Sequence, residues 1–69
     1  MLIVDARGLL CPEPVVKTQR AVKDGADELT VLVDAEAAKE NVTRFAVSRG
    51  YDVSAAQNGH DYTITLKRA

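Results

Sequence analysis

Apolar positions in this chain come in short blocks whose spacing changes along the sequence. Leu2-Ile3-Val4 is a branched apolar run that predicts a buried strand, ended by Asp5-Ala6-Arg7-Gly8. Leu9-Leu10 leads into Cys11, and from Pro12 the pattern becomes helical. Val15, Val16, Gln19 and Val22 fall on neighbouring faces, while Lys17, Arg20 and Lys23 reach solvent. Asp24-Gly25 is the stop signal. Leu29-Thr30-Val31-Leu32-Val33 is the clearest strand, β-branched and nearly continuous. Asp34 is the expected N-cap of a second helix, whose apolar stripe is Ala38, Val42, Phe45 and Ala46. Glu36 and Glu40 early, and Arg44 and Arg49 late, match that helix's dipole, and Gly50 closes it. Val53, Ala55 and Gln57 then alternate with Ser54 and Ala56, and Tyr62, Ile64 and Leu66 alternate with Thr63, Thr65 and Lys67. Between them Asn58-Gly59 predicts a hairpin turn.

The element order is thus β-α-β-α-β-β. A right-handed β-α-β crossover makes the first two strands parallel and puts the first helix on one face of the sheet. Alternation in the last two strands leaves the other face wet. The expected fold is a two-layer α/β sandwich, with two helices on one face of a four-stranded mixed sheet. The order of strands within the sheet is left open. A length of 69 residues supports one domain, spanning 1–69.

Composition narrows the function classes. Apolar residues make up 46% of the chain with only Phe45, Tyr51 and Tyr62 aromatic, so the core rests on Val, Leu, Ile and Ala and leaves little room for a deep pocket. Nine basic residues, scattered and set against ten acidic ones, give a net charge of -1 and no basic face for nucleic acid. No apolar run approaches the roughly 18 residues of a membrane span. Met1-Leu2-Ile3-Val4 is followed at once by Asp5 and Arg7, which leaves no signal-peptide core. One cysteine cannot make an internal disulfide, and a reducing cytoplasm keeps such a thiol available.

Cys11 is the residue with chemistry to offer. With Pro12 as the first helical residue, Cys11 becomes the N-cap and Pro14 the third helical position, still tolerated in the first turn. The prolines fix the backbone beside the thiol and remove donors, leaving the Glu13 amide to cap the sulfur. A helix start carries about half a positive charge, which favours thiolate over thiol. Arg7 and Lys17 would add to this; Glu13 and Asp5 oppose it. A lone cysteine next to Leu9-Leu10 is more often a small buried hydrophobe. The two-proline cap argues for a nucleophile suited to attack on sulfur.

The run Asp5-Ala6-Arg7-Gly8-Leu9-Leu10-Cys11-Pro12-Glu13-Pro14 resembles the signature of the TusA/SirA/YedF-like family of small sulfur-transfer proteins. The resemblance covers the whole chain, since the element order is that family's too. Asp34, Ala37-Ala38-Lys39-Glu40-Asn41-Val42, Phe45-Ala46 and Gly50-Tyr51 resemble the YedF-like branch, some of whose members are linked to selenium and carry a further domain after this one. The chain would then be either a short protein or an N-terminal domain. Asp34-Ala35-Glu36 departs from the Asp-Pro pair of members close to TusA.

The resemblance implies a mechanism. Cys11 accepts the outer sulfur of a persulfide on a cysteine desulfurase-like donor and presents it to an acceptor protein, without metal or cofactor. Pro12 and Pro14 set geometry, and Arg7 and Gly8 shape the loop; apart from the resemblance, the charge of Arg7 suggests that it stabilises the persulfide anion. A monomer is expected. Two other functions compete: a selenium-handling protein using the same cysteine, and a non-enzymatic regulatory or adaptor module in which the motif is only structural. A solvent-accessible thiol favours the first two and a buried one the third. His60 reads as a solvated turn residue, Tyr51 and Tyr62 as packing groups, and Lys17, Arg20 and Lys23 as a solvated helix side close enough to the thiol to dock a partner.

Overall fold

The computed structural model describes residues 2–69; Met1, the first residue of the Met1-Leu2-Ile3-Val4 run, lies outside them. The chain forms β1 (Leu2–Asp5), α1 (Glu13–Lys23), β2 (Glu28–Val33), α2 (Glu36–Ser48), β3 (Tyr51–Asn58) and β4 (Asp61–Arg68). This is the expected β-α-β-α-β-β order and the expected two-helix, four-stranded mixed sheet. Among the described residues no helix is long and apolar enough to cross a membrane.

The sheet order is β1-β2-β4-β3, with β1 and β2 parallel and β4 antiparallel to both of its neighbours. The last strand therefore enters the sheet between the second and the third. The side chains explain the choice. Ile64 and Leu66 of β4 are fully buried, and a strand with two such residues needs neighbours on both sides. Beyond Tyr51 and the half-buried Val53, β3 offers Ser54, Ala55, Ala56 and Gln57, all exposed, which suits an edge.

Register places Val4, Val31 and Ile64 side by side, with Leu2, Leu29 and Leu66 in the next row. Leu29, Val31, Val33, Ile64 and Leu66 form the floor of the core, covered by Ala21 of α1 and by Val42 and Ala46 of α2. The opposite row of Ile3, Thr30 and Thr65 faces away from the helices, with Ile3 exposed, Thr65 half-buried and Thr30 buried between its neighbours.

Four local expectations are corrected. The run at Leu2-Ile3-Val4 is an edge strand rather than a buried one: Leu2 is 46% and Ile3 63% exposed, because β1 has a partner on one side only. The buried face of α1 is Pro14, Thr18 and Ala21, with Gln19 in solvent. Thr18 is tolerated inside because its hydroxyl donates to the Pro14 carbonyl at 2.9 Å, one turn back. The hairpin loop is Gly59-His60, since Asn58 already pairs with Asp61. Gly59 has φ +67° and His60 does not share it, the pattern of a turn that needs glycine at its first central position. Asp34 does not cap α2: Ala35 holds the N-cap position, and Asp34 is turned back toward the loop before α1.

Candidate functional site

The loop between β1 and α1 is tied down at several points. Ala6 is buried, and its amide donates to the Leu32 carbonyl at 2.8 Å, extending the β1–β2 pairing by one residue. The Gly8 amide donates to the Asp34 carboxylate at 2.8 Å across the end of β2. Leu9 packs half-buried on the core, while Leu10 is 81% exposed. Gly8 has φ +77°, a left-handed conformation that a Cβ disfavours, yet an added Cβ would meet nothing within 4 Å. Gly8→Ala is therefore expected to cost about 1 kcal/mol from backbone strain alone. That should appear as a melting temperature lower by roughly 4–8 °C in a domain this small.

Arg7 and Asp5 form a paired fork. Arg7 Nε and Nη2 reach the two Asp5 carboxylate oxygens at 2.9 and 2.8 Å, and the Arg7 amide adds a third bond. Nη1 extends to Asp61 at 3.3 Å. The Arg7 side-chain and backbone bonds hold the Asp5 carboxyl down at about 2, and the two carboxylates push the guanidinium up. The folded carboxyl thus titrates below its ordinary value of 3.8, so this pairing is complete above that pH and is lost as pH falls through about 2. Carboxyl-carbon NMR should find the Asp5 midpoint near 2, returning toward 3.8 in Arg7→Gln. An Asp5 midpoint unmoved by that substitution would remove Arg7 as the cause. The Arg7 guanidinium pairs with Asp5 and Asp61 rather than with Cys11. Lys17 likewise turns its ammonium to the Asp5 carbonyl at 3.4 Å.

Cys11 itself is exposed. It is not the helix N-cap. Pro12 holds that position, joined to Cys11 by a cis peptide bond, and Pro14 is the second helical residue. The Glu13 amide, expected to cap the sulfur, donates instead to the Leu10 carbonyl at 2.9 Å. That bond closes a turn with Cys11 and Pro12 at its centre, so Cys11 is a corner residue of the turn rather than the cap of the helix. First-turn amides have no intrahelical partner. Here Pro12 and Pro14 carry none and Glu13 has spent its own, while Val16 makes the first helical bond, to the Pro12 carbonyl at 3.1 Å. The Val15 amide is the donor the helix end retains.

Opposite the thiol stands α2. Cys11, Pro12 and Val15 form one wall of a shallow groove, and Asn41, Arg44, Phe45 and Ser48 the other. Asn41 Nδ2 donates to Cys11 Sγ at 3.8 Å, and Arg44 Nη1 donates to Asn41 Oδ1 at 3.5 Å. Sequence reasoning missed Asn41, Arg44 and Ser48 as neighbours of the thiol. The available signal was the apolar stripe of α2: a helix packed beside α1 through Val42 and Phe45 must bring the polar residues flanking that stripe to the same seam.

A family model described as Sulfurtransferase TusA matches residues 2–68. The chain belongs to the TusA family. Among relatives of this TusA-family chain is a candidate sulfur carrier protein of Methanocaldococcus jannaschii, MJ0990, 37% identical over 68 residues that cover 94% of this chain and 91% of that one. Another is a candidate sulfur carrier protein of Bacillus subtilis, YrkI, 34% identical over 53 residues covering 74% and 71%. The crystal structure of a SirA-like protein from Desulfitobacterium hafniense superposes with a TM-score of 0.86 at 28% identity, covering 96% of this TusA-family chain and 95% of that one.

Proposed function

We propose that this TusA-family chain is a sulfur carrier that accepts persulfide sulfur on Cys11 and relays it to an acceptor protein. The observation that carries the reading is the exposure of Cys11 at the corner of a braced turn, open to a partner's sulfur. A motif kept only for structure would hold its cysteine inside; this one is outside, with the prolines shaping the turn around it. In loading, the Cys11 thiolate attacks the outer sulfur of a donor persulfide. The new S–S bond forms as the donor's breaks, and the donor leaves as a thiolate. Both the donor, of cysteine desulfurase type, and the acceptor are proteins in this reading, which the exposure of Cys11 beside an open groove supports.

Pro12 and Glu13 frame the thiol, Pro14 anchors the first turn in the core, and Arg7 and Gly8 hold the approaching loop in shape through Asp5, Asp61 and Asp34. The test is the intact mass after incubation with a cysteine desulfurase and cysteine. A gain of one sulfur, removed by reduction and absent in Cys11→Ser, is expected. No gain beside an active desulfurase would sink the reading for sulfur. A gain from a selenium donor instead would move the same cysteine to selenium chemistry.

A further inference from the structure

Resting on the reading of Cys11 as the sulfur-bearing group, we propose that Asn41 and Arg44 of α2 form a hydrogen-bond relay that stabilises the Cys11 sulfur as an anion. Asn41 touches the sulfur, and Arg44 positions Asn41. The distances are 3.8 Å from Asn41 Nδ2 to Sγ and 3.5 Å from Arg44 Nη1 to Asn41 Oδ1. The orientation of the carboxamide follows from chemistry. A guanidinium has donors and no acceptor, so the end of Asn41 that meets Arg44 must be its carbonyl oxygen. The amide N–H is then left facing the sulfur, which as a thiolate can only accept.

Asn41 and Arg44 are three residues apart on one helix and so share a face. Pro12, Val15 and Phe45 supply the apolar part of the same groove. Of the other charged groups near the motif, the two cations have partners of their own and the carboxylate is exposed. Arg7 is paired with Asp5 and Asp61, Lys17 with the Asp5 carbonyl, and Glu13 is exposed at the start of α1. Arg44 is the one charged residue among those lining the groove beside the thiol.

The relay has an unequal effect on the two halves of the reaction. In loading, a hydrogen bond raises the thiolate fraction but tempers its nucleophilicity. In onward transfer the acceptor takes the outer sulfur, the S–S bond breaks, and Cys11 departs as a thiolate with both bonding electrons. A donor waiting at Sγ stabilises that leaving group directly. Loss of Asn41 should therefore slow discharge more than loading.

The experiment uses the whole chain and one small probe. Cyanide discharge of protein preloaded with inorganic polysulfide reads departure, since cyanide removes the outer sulfur as thiocyanate and leaves the Cys11 thiolate. Asn41→Ala should slow discharge about fivefold, the usual worth of one hydrogen bond. Alanine is a strong helix former, so α2 should persist, as circular dichroism would check. Arg44→Ala should slow discharge by less, and Arg44→Lys, which keeps a donor for the carbonyl, should restore it. A discharge rate unchanged in Asn41→Ala overturns the proposal. Failure of the wild type to take sulfur from a desulfurase would remove the carrier reading instead, and would leave the discharge test, loaded with inorganic polysulfide, intact.

Discussion

Val31→Asp is expected to leave no folded protein. Val31 is fully buried at the middle of β2, with Val4 beside it on one strand and Ile64 on the other. Both positions flanking it in the sheet are apolar, and α1 and α2 close the face above. A carboxylate there has no partner, and leaving a charge unpaired in such a place costs several kcal/mol. A domain of this size holds only about 5 kcal/mol of net stability. One substitution therefore exceeds the whole margin. Val31→Ala separates loss of packing from burial of charge. It removes two methyl groups from a dense core and should cost about 2 kcal/mol, giving a folded chain that melts earlier. Thermal denaturation followed by circular dichroism reads both. A cooperative melt near that of the wild type in Val31→Asp would mean that the central strand and its neighbours are misplaced.

Cys11→Ser should abolish sulfur loading while leaving the melting temperature nearly unchanged. The two halves of that expectation have separate causes. Loading needs a thiolate, and a serine hydroxyl neither ionises near neutral pH nor forms a persulfide. Stability is spared because Cys11 is exposed and makes no cap: the helix begins at Pro12 without a side-chain cap bond, and the turn is closed by backbone groups of Leu10 and Glu13. Surface substitutions of this kind usually fall within about 0.5 kcal/mol. Intact mass after exposure to a desulfurase reads the first half and a melting curve the second. Residual loading of the serine variant would remove Cys11 from the chemistry. A large loss of stability would show that the sulfur supports the turn in a way its exposure does not suggest.

The candidate site was legible in part. The proline-flanked cysteine stood out because proline restricts the backbone through its own ring, a property that needs no tertiary partner. The expected cap geometry was off by one residue, because cap positions depend on which carbonyl takes the Glu13 amide, and the Leu10 carbonyl won that competition. The Cys11 thiol was expected at the cap position over the helix end, and it lies in the preceding turn instead. Asp34 looked like a helix cap by residue type, yet its carboxylate found the Gly8 amide in a different loop. Each of these misses is a local preference overridden by a better partner brought close by folding.

By itself the sequence determined the element order, the crossover that makes β1 and β2 parallel, the closing glycines of both helices and the place of the single cysteine directly before Pro12. These follow from periodicity, chirality and backbone restriction, which act over a few residues. Only the tertiary structure decided that β4 lies between β2 and β3, that Leu2 and Ile3 sit on an edge, and that Asn41 and Arg44 face Cys11. Strand order depends on which strand buries more side-chain volume against two neighbours at once. The contact between Asn41 and Cys11 spans 30 residues and exists only because two helices pack side by side on one sheet. The apolar stripe of α2 points its flanking polar residues toward the seam, but which of them meets Cys11 is set by the shape of the whole core.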